Sequence, residues 1–217
     1  MYTMNLNKIT VLLVDDHELV RAGFRRLLED GDKFEVVAEA GSGEQAVQDF
    51  AKYHPNVVVM DISMPGIGGV GAIERIIARE PSAKILVLSV HEDSVFTTRA
   101  MQAGALGFIP KRSAPEAMLK AVEMVSQGRT CIAPEIAQQL AMQKLTGSEN
   151  PLDVLSQREF EVFRLLAEGK TVNEIADILN LSPKTVGTHH TNIKQKLNVS
   201  NSAELARLAI RSGLLEA

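Results

Sequence analysis

Val57-Val58-Val59-Met60 is apolar at every position and stops at Asp61, and Pro65-Gly66 turns the chain soon after. A short apolar run without alternation suits a strand covered on both faces, and strands of that kind belong to parallel sheets. The same pattern recurs through the first half. Ile9-Thr10-Val11-Leu12-Leu13-Val14 ends at Asp15-Asp16, Lys84-Ile85-Leu86-Val87-Leu88 ends at Ser89, and Leu106-Gly107-Phe108-Ile109 closes on Pro110-Lys111. Phe34 to Ala38 reads as a further strand. Between these runs the apolar residues fall at helical spacing: Leu19 or Val20 with Phe24, Leu27 and Leu28; Ala46, Val47 and Phe50; Ile73, Ile76 and Ile77. Capping boxes are expected at Ser42-Gly43-Glu44-Gln45 and at Ser113-Ala114-Pro115-Glu116. A fourth helix is expected from Glu92 to Ala103, stopped by Gly104. Five strand–helix pairs in succession predict an α/β domain over residues 8–128, with a parallel sheet and helices on both faces.

Five polar side chains then fall just beyond carboxyl strand ends: Asp15, Asp16, Asp61, Ser89 and Lys111. Open α/β sheets place their ligands at that edge. Three carboxylates held together repel one another and resist ionisation. A hard divalent cation relieves this, and Mg²⁺ prefers a few carboxylates completed by waters and a phosphate oxygen. Lys111 adds a positive charge and Ser89 a hydroxyl donor. The set reads as a phosphoryl-transfer site with Asp61 as the nucleophile. Gly66-Ile67-Gly68-Gly69-Val70-Gly71 also contains G-x-G-x-x-G, the mark of a dinucleotide-binding turn. Its first glycine follows Asp61 by five residues, with Met64-Pro65 between, so a flexible loop beside Asp61 is the better reading.

The residues from Arg129 to Asn150 change character. A helix is expected around 134–145, and Thr146 to Pro151 is turn-rich, so 129–150 reads as a linker. Four short helices follow in 151–217. Ser156-Gln157-Arg158-Glu159 and Thr171-Val172-Asn173-Glu174 are capping boxes, Asn180-Leu181 is a tight turn, and Ser182-Pro183 caps a third helix running to about Leu197. Asn201 opens the fourth. Two short helices joined by a tight turn, about Val172 to Thr191, suit a helix-turn-helix. No acid occurs from Ser182 to Asn198. Lys184, Thr185, Thr188, His189, Thr191, Asn192, Lys194 and Lys196 offer groups for bases and phosphates. The net charge of the whole chain is −4, so any nucleic-acid surface is confined to this region. The single cysteine, Cys131, excludes an internal disulfide and reads as a small apolar filler. No run approaches the ~18 apolar residues of a membrane span, and Met1 to Asn7 is short and polar for a secretory signal. No membrane contact and a reducing, cytoplasmic setting are the expectations. The five histidines, His17, His54, His91, His189 and His190, show no metal-ligand spacing.

The first half resembles the receiver domain of bacterial two-component response regulators. That resemblance implies a flavodoxin-like sheet of strand order 2-1-3-4-5. It implies phosphorylation at Asp61, and Mg²⁺ held by Asp15, Asp16, Asp61 and the backbone carbonyl of Ser63. It also implies Ser89 and Lys111 on the phosphate, and a switch pair of Ser89 and Phe108. Leu155-Ser156-x-Arg158-Glu159, Glu168-Gly169-Lys170, Glu174-Ile175-Ala176 and Leu181-Ser182-Pro183-Lys184-Thr185-Val186-x-Thr188-His189 resemble the LuxR-type DNA-binding domain. In that family the helix from Pro183 enters the major groove, and Gly187 stands where a longer side chain is common. Together the halves resemble the NarL/FixJ class. Val11 to Gly23, Ser63 to Gly69 and Ile136-Ala137-Gln138-Gln139 are similar to its GacA/UvrY subgroup. The implied partners are a sensor histidine kinase of the BarA/GacS type and promoter DNA of small regulatory RNA genes. The expectation is a phosphorylation-dependent transcription factor that dimerises when phosphorylated, partly through Leu205 and Leu208, and not an enzyme with its own substrate pocket. A phosphoacceptor module without DNA binding is the alternative.

Overall fold

The computed structural model describes residues 8–90, 94–146, 150–212 and 214–215, with the side chains at 94 and 143–146 outside the description. The expected helix start at Glu92, His91, and the turn residues 147–149 lie outside it as well. The chain divides into two compact units, Met1–Glu92 with Arg99–Pro134, and Asp93–Thr98 with Glu135–Ala217.

From residue 9 to 132, strands and helices alternate as β1 (Ile9–Val14), α1 (Glu18–Glu29), β2 (Phe34–Ala40), α2 (Gly43–Tyr53), β3 (Val57–Asp61), α3 (Gly68–Arg79), β4 (Ile85–Ser89), α4 (Ser94–Gln102), β5 (Gly107–Pro110), α5 (Pro115–Ser126) and β6 (Cys131–Ile132), all in the first unit save residues 94–98 of α4. The sheet is parallel throughout, in the order β2-β1-β3-β4-β5-β6. The expected five-stranded order is thus present and extended by one strand. The two-residue β6 was not foreseen, because two residues carry no periodicity. Hydrogen bonds from Cys131 N to Leu106 O and from Ala133 N to Phe108 O define it.

Strands β3, β4 and β5 are buried at every position, as the apolar runs leading to Asp61 and Ser89 demand, and those two polar ends are buried with them. Val11, Leu13, Val57, Val59, Leu86, Leu88 and Ile109 face Leu28 of α1 and Met118, Ala121, Val122 and Val125 of α5. The alternate residues Leu12, Val58, Met60 and Val87 are equally buried on the opposite face of the pleat. Each such side chain contributes about 1.5–3 kcal/mol relative to exposure. The packed layers hold the strand ends, and the polar residues just beyond them, in fixed register. Helix α2 starts at the expected cap, with Ser42 accepting from Gln45 N, but the box is not closed, because the Gln45 side chain accepts from Gly41 N instead. Helix α5 does not start at its expected cap: Ala114 is its N-cap, with no side-chain bond, and Pro115 takes the first turn. Ser113 is drawn instead into a turn in which its N–H donates to Pro110 O.

The second unit holds α6 (Pro134–Thr146), a short 3-10 turn (Pro151–Val154), α7 (Gln157–Ala167), α8 (Val172–Leu179), α9 (Pro183–Leu197) and α10 (Ser202–Arg211). Both expected capping boxes form, Ser156 with Glu159 and Thr171 with Glu174. Asn180 takes the left-handed conformation at the C-cap of α8 (φ 52°), which makes the sharp turn into α9. Ser182 caps α9 with Pro183 in its first turn. Phe163, Ile175, Val186, Ile193 and Leu205 are fully buried and join α7, α8, α9 and α10 around one small core.

Candidate functional site

At the carboxyl rim of the sheet, β1, β3 and β5 deliver Asp15, Asp61 and Lys111 to one point. Lys111 Nζ lies 2.5 Å from Asp15 Oδ2 and 2.8 Å from Asp61 Oδ2. Asp15 and Asp61 are each 2% exposed, so this is a buried ionic cluster. Lys111 is tied to β4 by its own backbone, whose N–H donates to Ser89 O at 2.8 Å. Ser89, fully buried, therefore stands beside the lysine. Ser63 N donates to Asp61 Oδ1 at 3.1 Å, which fixes the carboxylate's orientation. Phe108 is fully buried in β5, paired in register with Val87.

Burial pushes the Asp61 carboxyl up, against the pull of the Lys111 ammonium. Burial would lower Lys111, but its bonds to Asp15 and Asp61 outweigh that and raise it. A buried acid that resists ionisation, next to two more acids, calls for added positive charge. The residues fit a hard cation. Asp16 Oδ1 is buried and accepts no hydrogen bond, with only the His17 ring nitrogen close to it among the described ion pairs. Donor atoms of Asp15, Asp16, His17 and Asp61 all lie within 4.8 Å of one another.

Three neighbours escaped sequence reasoning. His17 Nδ1 sits 2.9 Å from Asp16 Oδ1 and 3.3 Å from Asp15 Oδ1, and its backbone N–H donates to Asp15. Its place directly after two acids was the available signal. Arg21 Nη1 donates to the backbone oxygen of Asp15 at 2.6 Å. Glu44 accepts from Ile67 N across 23 residues, pinning the glycine loop to α2. No local pattern announces a contact of that span.

The glycine loop supports the acid rather than a dinucleotide. Gly66 and Gly68 have φ of 79° and 64°, a region where glycine has no steric penalty. A Cβ on Gly69 would lie 2.1 Å from the carbonyl oxygen of Asp61. That turn is shaped by the close return of α3 to the end of β3.

In the second unit, α9 exposes Lys184, Thr188, Thr191 and Gln195. Their spacing of four, three and four residues puts them on one stripe of the helix. Gln195 was not among the expected contacts. Thr185, His189, Asn192 and Lys194 are half-buried at its margins. Lys196 is engaged elsewhere: its ammonium lies 2.6 Å from Oε2 of Glu159, which is 4% exposed. Lys196, expected among the DNA contacts, thus has a partner inside its own domain while its side chain stays 42% exposed. Leu205 lies inside the domain core, so it cannot serve a contact between two domains. On α10, Leu208 is half-buried and Ile210 exposed.

A phosphoacceptor-like acid cluster on a doubly covered parallel sheet, followed by a helix-turn-helix, defines a DNA-binding response regulator. The family models agree: residues 11–123 match the response regulator receiver domain, and residues 153–209 match the bacterial regulatory proteins of the luxR family. The chain belongs to the two-component response regulators with a LuxR-type DNA-binding domain. It is 45% identical to the response regulator UvrY of Escherichia coli over 96% of this chain and 97% of that one. It is 42% identical to the response regulator GacA of Pseudomonas aeruginosa over 96% and 99%. Among solved structures, RcsB of Salmonella enterica serovar Typhimurium, bound to promoter rprA with the phosphomimetic BeF3⁻, is 30% identical with a TM-score of 0.66, covering 93% of this chain and 98% of that one. A LuxR-family response regulator of Aurantimonas sp. is 37% identical with a TM-score of 0.62, covering 64% and 99%. Among the described residues no helix is long and apolar enough to cross a membrane.

Proposed function

We propose that Asp61 accepts a phosphoryl group from a sensor histidine kinase of the BarA/GacS type, and that the modified protein binds promoter DNA of small regulatory RNA genes as a dimer. An Asp61 oxygen attacks phosphorus as the P–N bond of the kinase phosphohistidine breaks and its electron pair returns to the imidazole. Mg²⁺, held by Asp15, Asp16, Asp61 and the carbonyl of Ser63, would neutralise charge on the transferred oxygens. Lys111 turns its ammonium from Asp61 to the new phosphate. Ser89 donates its hydroxyl to the same group, and Phe108 turns into the space Ser89 leaves. The observation that carries this reading is the Lys111 ammonium bridging Asp15 and Asp61 beside an Asp16 oxygen that accepts no hydrogen bond.

In the proposed organisation, residues 8–128 receive the phosphoryl group, 129–150 link, and 151–217 bind DNA. Helix α9 lies in the major groove, with Lys184, Thr185, Thr188, His189, Thr191, Asn192 and Lys194 toward bases and phosphates. Lys196 braces the helix against α7. Two copies meet through Leu208 and Ile210 of α10, matching two half-sites.

Acetyl phosphate with Mg²⁺ tests the first step. Mass measurement should show one added phosphoryl group in the wild type and none in Asp61→Ala. A gel shift at fixed salt on a small-RNA promoter should tighten only for the modified wild type. Phosphorylation of Asp61→Ala to the same extent would overturn the assignment.

A further inference from the structure

We propose that His17 is a nitrogen donor to the cation pocket, so that this receiver takes a first-row transition ion such as Ni²⁺ more tightly than an all-oxygen pocket would. The inference rests on the reading of Asp15, Asp16 and Asp61 as a cation site. It adds a ligand of a different chemical class.

The geometry carries it. The imidazole is two-thirds exposed on its outer side, yet its Nδ1 faces both acids, 2.9 Å from Asp16 Oδ1 and 3.3 Å from Asp15 Oδ1. Nδ1 shares a hydrogen bond with Asp15 Oδ1, whereas Asp16 Oδ1 beside it has none, so a cation replacing that proton would meet the ring nitrogen and both acids. Two donors bound about 2.1 Å from one octahedral ion, at adjacent corners, sit roughly 3 Å apart. Nδ1 already stands near that spacing from each of the two carboxylate oxygens. The ring is held there by its own backbone, whose N–H donates to Asp15 Oδ1 at 2.9 Å. Helix α1 begins at the next residue, Glu18, and fixes the turn.

Ligand class decides what the pocket selects. Carboxylates and water suit Mg²⁺, whereas imidazole suits nickel, zinc, copper and iron. Mg²⁺ keeps its waters and has little to gain from the ring. A nickel ion gains a nitrogen ligand in the same octahedral frame. The pocket therefore has two cation modes: one of oxygen alone, and one in which His17 closes over the ion.

Titration calorimetry of the full chain with NiCl2 and, separately, MgCl2 tests this in wild type, His17→Gln and Asp16→Asn. His17→Gln should weaken Ni²⁺ by about tenfold or more and leave Mg²⁺ affinity within about twofold. Asp16→Asn should weaken both ions. The Ni²⁺ absorption bands of the wild type should shift to longer wavelength in His17→Gln, reporting loss of a nitrogen ligand. Equal Ni²⁺ affinity and spectra in wild type and His17→Gln would overturn the proposal. Ni²⁺ binding untouched by either substitution would place the ion elsewhere and overturn it too. Mg²⁺ affinity unchanged in Asp16→Asn would instead overturn the cation site itself.

Discussion

Asp61 sits where its own charge is unwelcome. Burial raises its carboxyl above the ordinary 3.8, against the pull of Lys111, so the folded protein gives up this proton less readily than the unfolded chain. A raised folded value means stability that is present at low pH and lost as pH rises through that value. The Lys111 shift acts only in strongly alkaline solution, above the ordinary 10.5, and leaves this window alone. Metal-free wild type should therefore lose stability relative to Asp61→Asn as pH rises from the ordinary 3.8 through the raised Asp61 value. Calorimetric unfolding across that range checks it, and Mg²⁺ should close the gap by raising the wild type alone. Gly69 is the second point of strain. Its Cβ would meet Asp61 O at 2.1 Å and Ile62 Cα at 2.5 Å, backbone atoms with no room to retreat. Gly69→Ala should cost about 3 kcal/mol and stop phosphorylation. Gly71→Ala meets only Ile67 Cβ at 3.4 Å and should gain up to about 1 kcal/mol from helix propensity. Chemical denaturation of the pair separates the two glycines. The acids and the lysine were legible as residues, because each closes an apolar run. The purpose of Gly69 was not, since it depends on how closely α3 returns to β3.

At the scale of elements, α9 is fastened by an ion pair that no local pattern announces. Glu159 is both the acid of the α7 capping box, third residue of the helix, and the partner of Lys196. Burial would raise its carboxyl, but the bonds from Lys196 and Ser156 prevail and lower it. Its stabilising contribution is present above the ordinary carboxylate range and lost as pH falls through the lowered value. Lys196→Gln should destabilise the C-terminal unit by about 1–2 kcal/mol, discounted for the exposed end of the lysine. The slope of DNA affinity against salt should stay unchanged. Lys184→Ala, by contrast, should leave stability alone and reduce that slope by roughly one phosphate contact. A salt series on both variants, beside thermal unfolding, distinguishes brace from contact. The helix starts at Ser42, Ser156, Thr171, Ser182 and Asn201 were readable because a cap is a local bond. The start at Ser113 was misplaced, because the turn after β5 captured its N–H.

For the whole molecule, the expected behaviour is a switch written by one covalent change. Acetyl phosphate with Mg²⁺ should convert wild type from monomer to dimer in sedimentation, and Asp61→Asn should stay monomeric. Ile210→Asp should weaken binding to paired half-sites more than to one half-site, since it removes an exposed apolar side chain on α10. Within the sequence itself lay the parallel sheet, the acids at its rim and the helix-turn-helix. Apolar runs, caps and charge are local quantities, and each is complete within a few residues. Only tertiary structure decided that His17 faces Asp15 and Asp16, that Glu44 anchors Ile67, that Lys196 belongs to Glu159 and that Leu205 is core. Those facts depend on distances between residues far apart in the chain, or on which way a ring turns, and both are set when the packed layers fix one register among many.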